Sequence, residues 1–221
     1  SNNNIEDNAE LNLQYLSPTN NSVGFRVVAT DGKYPQRSFD STSVLDNGYS
    51  RMRYTLTWDW LNSQKSGVNG FLGYIEQHQN HLSRFNFADI IAELNFHWYP
   101  SVKTFLDLSL RRDISQANNQ FSSFFLTQGV WLNLSWRMSP NLLIKIPLSF
   151  QQQQFLGNVN INEVSFQQEK DEIGNAGVSI SYSPVDYFTI GTVLNYESRS
   201  SNNPLRNYES LSSGINMQLT F

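Results

Sequence analysis

Residues 130–138 read VWLNLSWRM, and their alternation decides the fold. Val130, Leu132, Leu134, Trp136 and Met138 fall on one side of an extended chain, with Asn133, Ser135 and Arg137 on the other, because successive side chains of a strand point to opposite faces. A helical period would scatter the same residues around a cylinder. The stretch reads as a two-faced strand.

The period repeats in both directions from there. Toward the N-terminus, Ala9, Leu11, Leu13 and Tyr15 oppose Glu10, Asn12 and Gln14, and Met52, Tyr54, Leu56, Trp58 and Trp60 oppose Arg51, Arg53, Thr55, Thr57 and Asp59. Ala88, Ile90, Ala92, Leu94, Phe96 and Trp98 alternate with Asp89, Glu93, Asn95 and His97, and Leu106, Leu108 and Leu110 with Asp107, Ser109 and Arg111. Toward the C-terminus, Phe188, Ile190, Leu194 and Tyr196 face away from Thr189, Asn195 and Glu197. About eleven such strands are expected.

Their connections alternate in length. Short turns are expected at SPTNN, NSQKSG, YPSVK, SPNL and SPVD, with Pro18, Pro100, Pro140 and Pro184 as markers. Longer polar loops are expected over 31–47, 77–85, 115–123, 156–171 and 200–208. The chain is a meander of hairpins, tight at one end and loose at the other.

Composition removes several functional classes. The 221 residues carry a net charge of −4 and no block of like charge, so the footprint of a nucleic-acid binder is absent. There is no cysteine, and His78, His81 and His97 show no metal spacing; no metal site or cofactor is expected, and His78 and His81 read as solvated. No apolar run approaches the ~18 residues of a spanning helix. SNNNIEDN at the start has neither a charged leader nor an apolar core. Aromatics at 14% rule against low-complexity disorder despite the Asn- and Gln-rich tracts.

Two architectures use such strands, a soluble sandwich and a barrel in lipid. A sandwich distributes aromatics to suit its core. Here Tyr15, Trp58, Trp60, Trp98, Trp136 and Tyr182 gather beside the short turns, as amphipathic rings do at a membrane interface. Alternating segments of about nine to eleven residues match tilted strands crossing hydrocarbon. Lipid offers no partner to an open backbone edge, so closure is required. The fold expected is an all-β, antiparallel, up-and-down transmembrane β-barrel filling 1–221 as one domain, in the bacterial outer membrane, with turns periplasmic and loops outside.

The chain's last residues fit that membrane. In GINMQLTF (214–221), Ile215, Met217, Leu219 and Phe221 share one face. The segment resembles the C-terminal signal of bacterial outer-membrane barrels, which implies the barrel-assembly machinery as a partner, beside the outer-membrane lipids, and puts Phe221 at the periplasmic rim. A barrel with both ends periplasmic needs an even strand count. The odd count predicts either further strands ahead of Ser1 or an unread division within VNGFLGYIEQ (68–77).

A closer likeness lies in SYSPVDYFTIGTVLNYESRSSNNPLRNYES (181–210), where Tyr196, Arg199, Ser201 and Asn202 precede a loop and Tyr208 follows it. This hairpin resembles the last one of exopolysaccharide-operon barrels of the EpsL type, within the putative beta-barrel porin class. The resemblance implies export of a secreted polysaccharide, with periplasmic export components as partners.

If the apolar face meets lipid, the lumen is lined by Arg26, Arg51, Arg53, Asp59, Asp89, Glu93, His97, Asp107, Arg111, Asp113, Arg137, Lys145, Glu197 and Arg199. Neutral Asn, Gln, Ser and Thr between them suit a polar conduit for sugars. The same side chains, paired across the interior, would instead plug the barrel. A soluble carbohydrate-binding sandwich is the rival outside the membrane, and a barrel serving as a scaffold for a periplasmic partner is a further alternative to the pore. Catalysis is not expected: Glu93 and His97 lie about 13 Å apart along one strand, and a Glu93–Asp107 carboxylate pair beside Arg111 and Arg112 reads as structural.

Overall fold

The computed structural model describes residues 4–39, 46–116, 124–156 and 169–220. They form one antiparallel sheet of eleven strands in chain order: β1 (Ile5–Leu16), β2 (Ser22–Lys33), β3 (Gly48–Ser63), β4 (Ser66–Gln79), β5 (Phe87–Ser101), β6 (Thr104–Gln116), β7 (Phe124–Ser139), β8 (Leu142–Leu156), β9 (Lys170–Val185), β10 (Phe188–Ser201) and β11 (Tyr208–Leu219). Each strand pairs only with its neighbours in sequence. A sandwich, which needs a second sheet over the first, is thereby excluded among the described residues.

Register carries the alternation from strand to strand. Leu13 opposes Phe25, Phe25 opposes Leu56, Leu56 opposes Leu72, and Leu72 opposes Ala92. Further along, Leu108, Leu132, Leu148, Ala176, Tyr196 and Leu211 make a second such row. A slip of one residue within these rows would invert every later strand, and the register shifts that occur are confined to the strand ends beside the short turns. One continuous apolar face results, and nothing in the described chain covers it: Leu13 is 61% exposed, Leu194 46% and Met217 68%. In water such a face would cost roughly 25 cal/mol for each Å² left wet.

The strands exceed the expected nine to eleven residues, running from 12 in β1 to 16 in β7. The excess lies toward the long loops, where the apolar rows give way to a polar one. Arg112 donates to Gln128 at 2.9 Å, Gln128 to Gln152 at 2.9 Å, and Gln152 to Glu172 at 3.2 Å. This ladder sits directly beyond Leu110, Val130 and Phe150 on the same faces. Counting only hydrophobic alternation therefore stopped where the apolar band stops, not where the strand does.

Pro18 and Pro140 sit in turns as expected, but two of the four marker prolines do not. Pro100 and Pro184 lie inside β5 and β9, and the turns fall at Val102–Lys103 and Asp186–Tyr187. Both prolines accompany register shifts, between Trp98 and Ser101 and between Phe188 and Ile190. A residue without N–H is tolerated where the ladder is already interrupted. VNGFLGYIEQ, in contrast, lies wholly within β4, so no division was missed there. With eleven strands, β1 and β11 run in the same direction.

Buried apolar residues are few, and Ile75, Phe87 and Ile91 among them lie on the polar face. Ile75, Phe87, Ile91 and Ile114 cluster there with Phe71 and Phe124 against them. Pairing of β5 with β6 stops at Ala92–Arg112. Beyond it Ile114 of β6 packs into the cluster.

Candidate functional site

The polar face is the candidate functional surface. Asn8 of β1 and Asp113 of β6, five strands away, line one cavity on it, so the sheet curls toward this side. Register puts Arg26, Arg51, Arg53 and Asp59 on this face of β2 and β3, with Asp89, Glu93 and His97 on β5, Asp107 and Arg111 on β6, Arg137 on β7, Lys145 on β8, and Glu197 and Arg199 on β10.

Several of these pair across strands. His97 Nδ1 lies 2.6 Å from Asp107, not near Glu93, because Asp107 is its direct cross-strand neighbour. Arg111 donates to Glu93 at 3.0 Å, and Glu93 also accepts from Asn95, which takes a hydrogen bond from Ser109 at 2.6 Å. Asp89 is drawn to Arg112 at 2.8 Å, the end of the polar ladder on the opposite face, through the gap where β5 and β6 part. Arg26 pairs with Glu10 at 2.6 Å and Arg51 with Glu6 at 3.7 Å.

The hairpin β9–β10 with its loop is tied by a second cluster. Arg199 and Arg206 both reach the fully buried Asp171, and Arg206 also bonds Glu169 while lying over the ring of Phe155. Asn202 accepts from the Lys170 backbone at 2.9 Å, Ser201 accepts from Asn203, and Tyr208 donates to Glu197. Of the quoted motif, Arg199, Ser201, Asn202 and Tyr208 thus close one long loop, whereas Tyr196 stands exposed on the apolar face.

A third cluster was not anticipated. Asp46, its side chain 3% exposed, accepts from the backbone of Asn47, Gly48, His81 and Leu82 and meets the His81 ring at 3.2 Å, so His81 is held rather than merely solvated. Burial alone would raise this carboxyl, yet the N–H groups of Leu82, His81 and Gly48 and the His81 side chain hold it below the ordinary aspartate range. It joins the loop after β2 to the loop after β4. His78 is exposed, its ring 3.3 Å from the Asn86 amide. Nearby, the Tyr49 ring occupies the space a Cβ on Gly32 would fill, its carbon 2.3 Å from that position.

At the short-turn end, Tyr15, Trp60, Trp98, Trp136 and Tyr182 project from the apolar face, each more than 40% exposed, and Trp58 lies beside them half-buried. Ile215, Met217 and Leu219 share that face in β11, opposite Thr192, Ile190 and Phe188. Phe221 lies outside the described residues. No group of three or more metal-ligating side chains converges among the described residues.

The sequence profile of a family described as Putative beta-barrel porin 2 matches residues 69–221. The chain belongs to that family. In this beta-barrel porin the matched region begins within β4 and takes in the hairpin carrying the quoted motif. No curated protein matches the chain. Among solved structures, the ferric citrate transporter FecA in its unliganded crystal form superposes with a TM-score of 0.53 at 10% identity, over 98% of this porin and 38% of the transporter. At that identity the likeness is one of fold, a curved section of antiparallel barrel wall. The porin spans well under half the transporter's length.

Proposed function

We propose that this chain forms the wall of an outer-membrane pore whose polar face lines a water-filled conduit used in export of a secreted polysaccharide. The observation that carries the reading is a single sheet with one uncovered apolar face and, opposite it, a face of Asn, Thr, Ser and paired charges. Membership of a porin family supports the barrel role. The polysaccharide rests on the resemblance of the 181–210 hairpin to exopolysaccharide-operon barrels. Membrane lipid, the assembly machinery and periplasmic export components are the partners this role requires, and no chemistry on a substrate is part of it.

Side chains on the polar face then line the lumen, and neutral hydroxyls and amides bind sugar weakly enough to release it. A second reading, a plugged structural barrel, is favoured by the cluster around Ile91 and by the cross-strand pairs that occupy His97, Glu93 and Arg111. Single-channel recording of the intact protein in planar bilayers separates the two. Discrete conductance steps are expected; a folded barrel that never conducts would remove the conduit.

A further inference from the structure

The charges of the polar face read as scattered in sequence, yet folding gathers three of one sign. Arg26 opposes Thr55, and Arg53 and Arg51 are the next two residues along the same face of β3. All three arginines line a cavity of about 450 Å³ that Asp113 and Ile114 of β6 also line. Asp113 is the acidic residue among its lining. A volume of that size is within the ~300–1,000 Å³ of small-ligand sites.

Two of the three arginines already meet a carboxylate, and the third does not. Glu10 and Glu6, on β1, take Arg26 and Arg51 through one oxygen each, leaving further guanidinium donors on both. Glu93 is held by Arg111. Arg53 makes no ion pair within 4 Å among the described residues; its guanidinium is steadied over the ring of Phe71, 5.1 Å from the centroid. A planar fork of donors, pre-placed and with no carboxylate bonded to it, although Asp113 lines the same cavity, is the arrangement that takes one bidentately.

The rest of the lining suits a sugar. Thr55 and Thr57 donate to the backbone oxygens of Arg26 and Gly24 at 3.3 Å, so their hydroxyl lone pairs stay open to a ligand's hydroxyl donors. Val28 and Ile75 give an apolar patch beside them for the C–H face of a pyranose ring. Neutral sugar would use the hydroxyls and the patch but leave Arg53 unanswered.

We propose that this cavity binds a carboxylated sugar unit of an acidic polysaccharide, with Arg53 holding the carboxylate and Arg26 and Arg51 flanking it. The proposal rests on the pore reading for the polymer's identity, but the binding site stands or falls on its own geometry.

The test is calorimetric titration of the intact detergent-solubilised protein with trigalacturonate, maltotriose and inorganic phosphate, for the wild type and for Arg53→Gln. Trigalacturonate is expected to bind at least about tenfold more tightly than maltotriose, and Arg53→Gln to lose about tenfold for the acidic trisaccharide alone. Equal affinity for the two trisaccharides, an unaffected Arg53→Gln, or phosphate binding as tightly as trigalacturonate would overturn it. Heat-modifiable gel mobility reports whether Arg53→Gln has folded; if it has not, the wild-type preference alone decides. Conductance of the same preparation keeps the two ideas apart: steps without acidic preference sink this site and spare the pore, whereas preference without steps spares the site and sinks the pore.

Discussion

Asp171 and Arg199 meet on the diagonal across β9 and β10, Asp171 standing opposite Ser201, with the carboxylate side chain fully buried and the guanidinium side chain 18% exposed. Arg206 shares the same carboxylate oxygen at 2.9 Å from the loop beyond β10. Removing one member of a buried ion cluster leaves the others charged and unpaired, which costs more than the pair contributes. Asp171→Ala is expected to lower the barrel's unfolding free energy by about 3–5 kcal/mol, read as a shifted midpoint in urea. A variant with the wild-type midpoint would show that water already reaches the site.

The two loops joined at Asp46 should respond to acid. The folded carboxyl titrates below its unfolded value, so its contribution is complete above the ordinary aspartate range near pH ~3.9. It is lost as pH falls through the lower, folded value. Asp46→Asn is expected to reduce stability at pH 7 by about 1–3 kcal/mol, with the gap to wild type closing as both are acidified below pH ~3. A gap that persists undiminished at the acid end would mean charge is not what ties the loops.

Position 194 should tolerate charge far less than position 195. Leu194 lies midway along β10 on the apolar face, and Asn195 is its neighbour on the polar face. Leu194→Arg is expected to cost about 2–4 kcal/mol on folding into lipid vesicles, Asn195→Arg much less. Reversed costs would exchange the two faces.

Much of this was legible from side-chain alternation, because a period of two is local and each strand carries its own copy. Leu132, Leu134 and Asn133 declare their faces without knowledge of any neighbour. What depends on register was not legible. His97 finds Asp107 ten residues on, and His81 finds Asp46 thirty-five residues back, contacts set by which loops and strands lie side by side. The grouping of Arg26 with Arg51 and Arg53 is of the same kind, since a list of inward charges does not say which ones converge. Pro100 and Pro184 misled in a different way: each marks a bulge at the end of a strand, one step short of the turn.

The central claim is that acyl chains wet the apolar face while water wets the other. Nitroxide labels placed singly at Leu132, Asn133, Leu134, Leu194 and Asn195 in the vesicle-embedded protein, with collision rates measured against oxygen and a polar nickel chelate, address it most directly. The expected result is oxygen-dominated relaxation at 132, 134 and 194 and chelate-dominated relaxation at 133 and 195. Chelate reaching 132, 134 and 194 while oxygen dominates at 133 and 195 would contradict the barrel orientation and the pore with it.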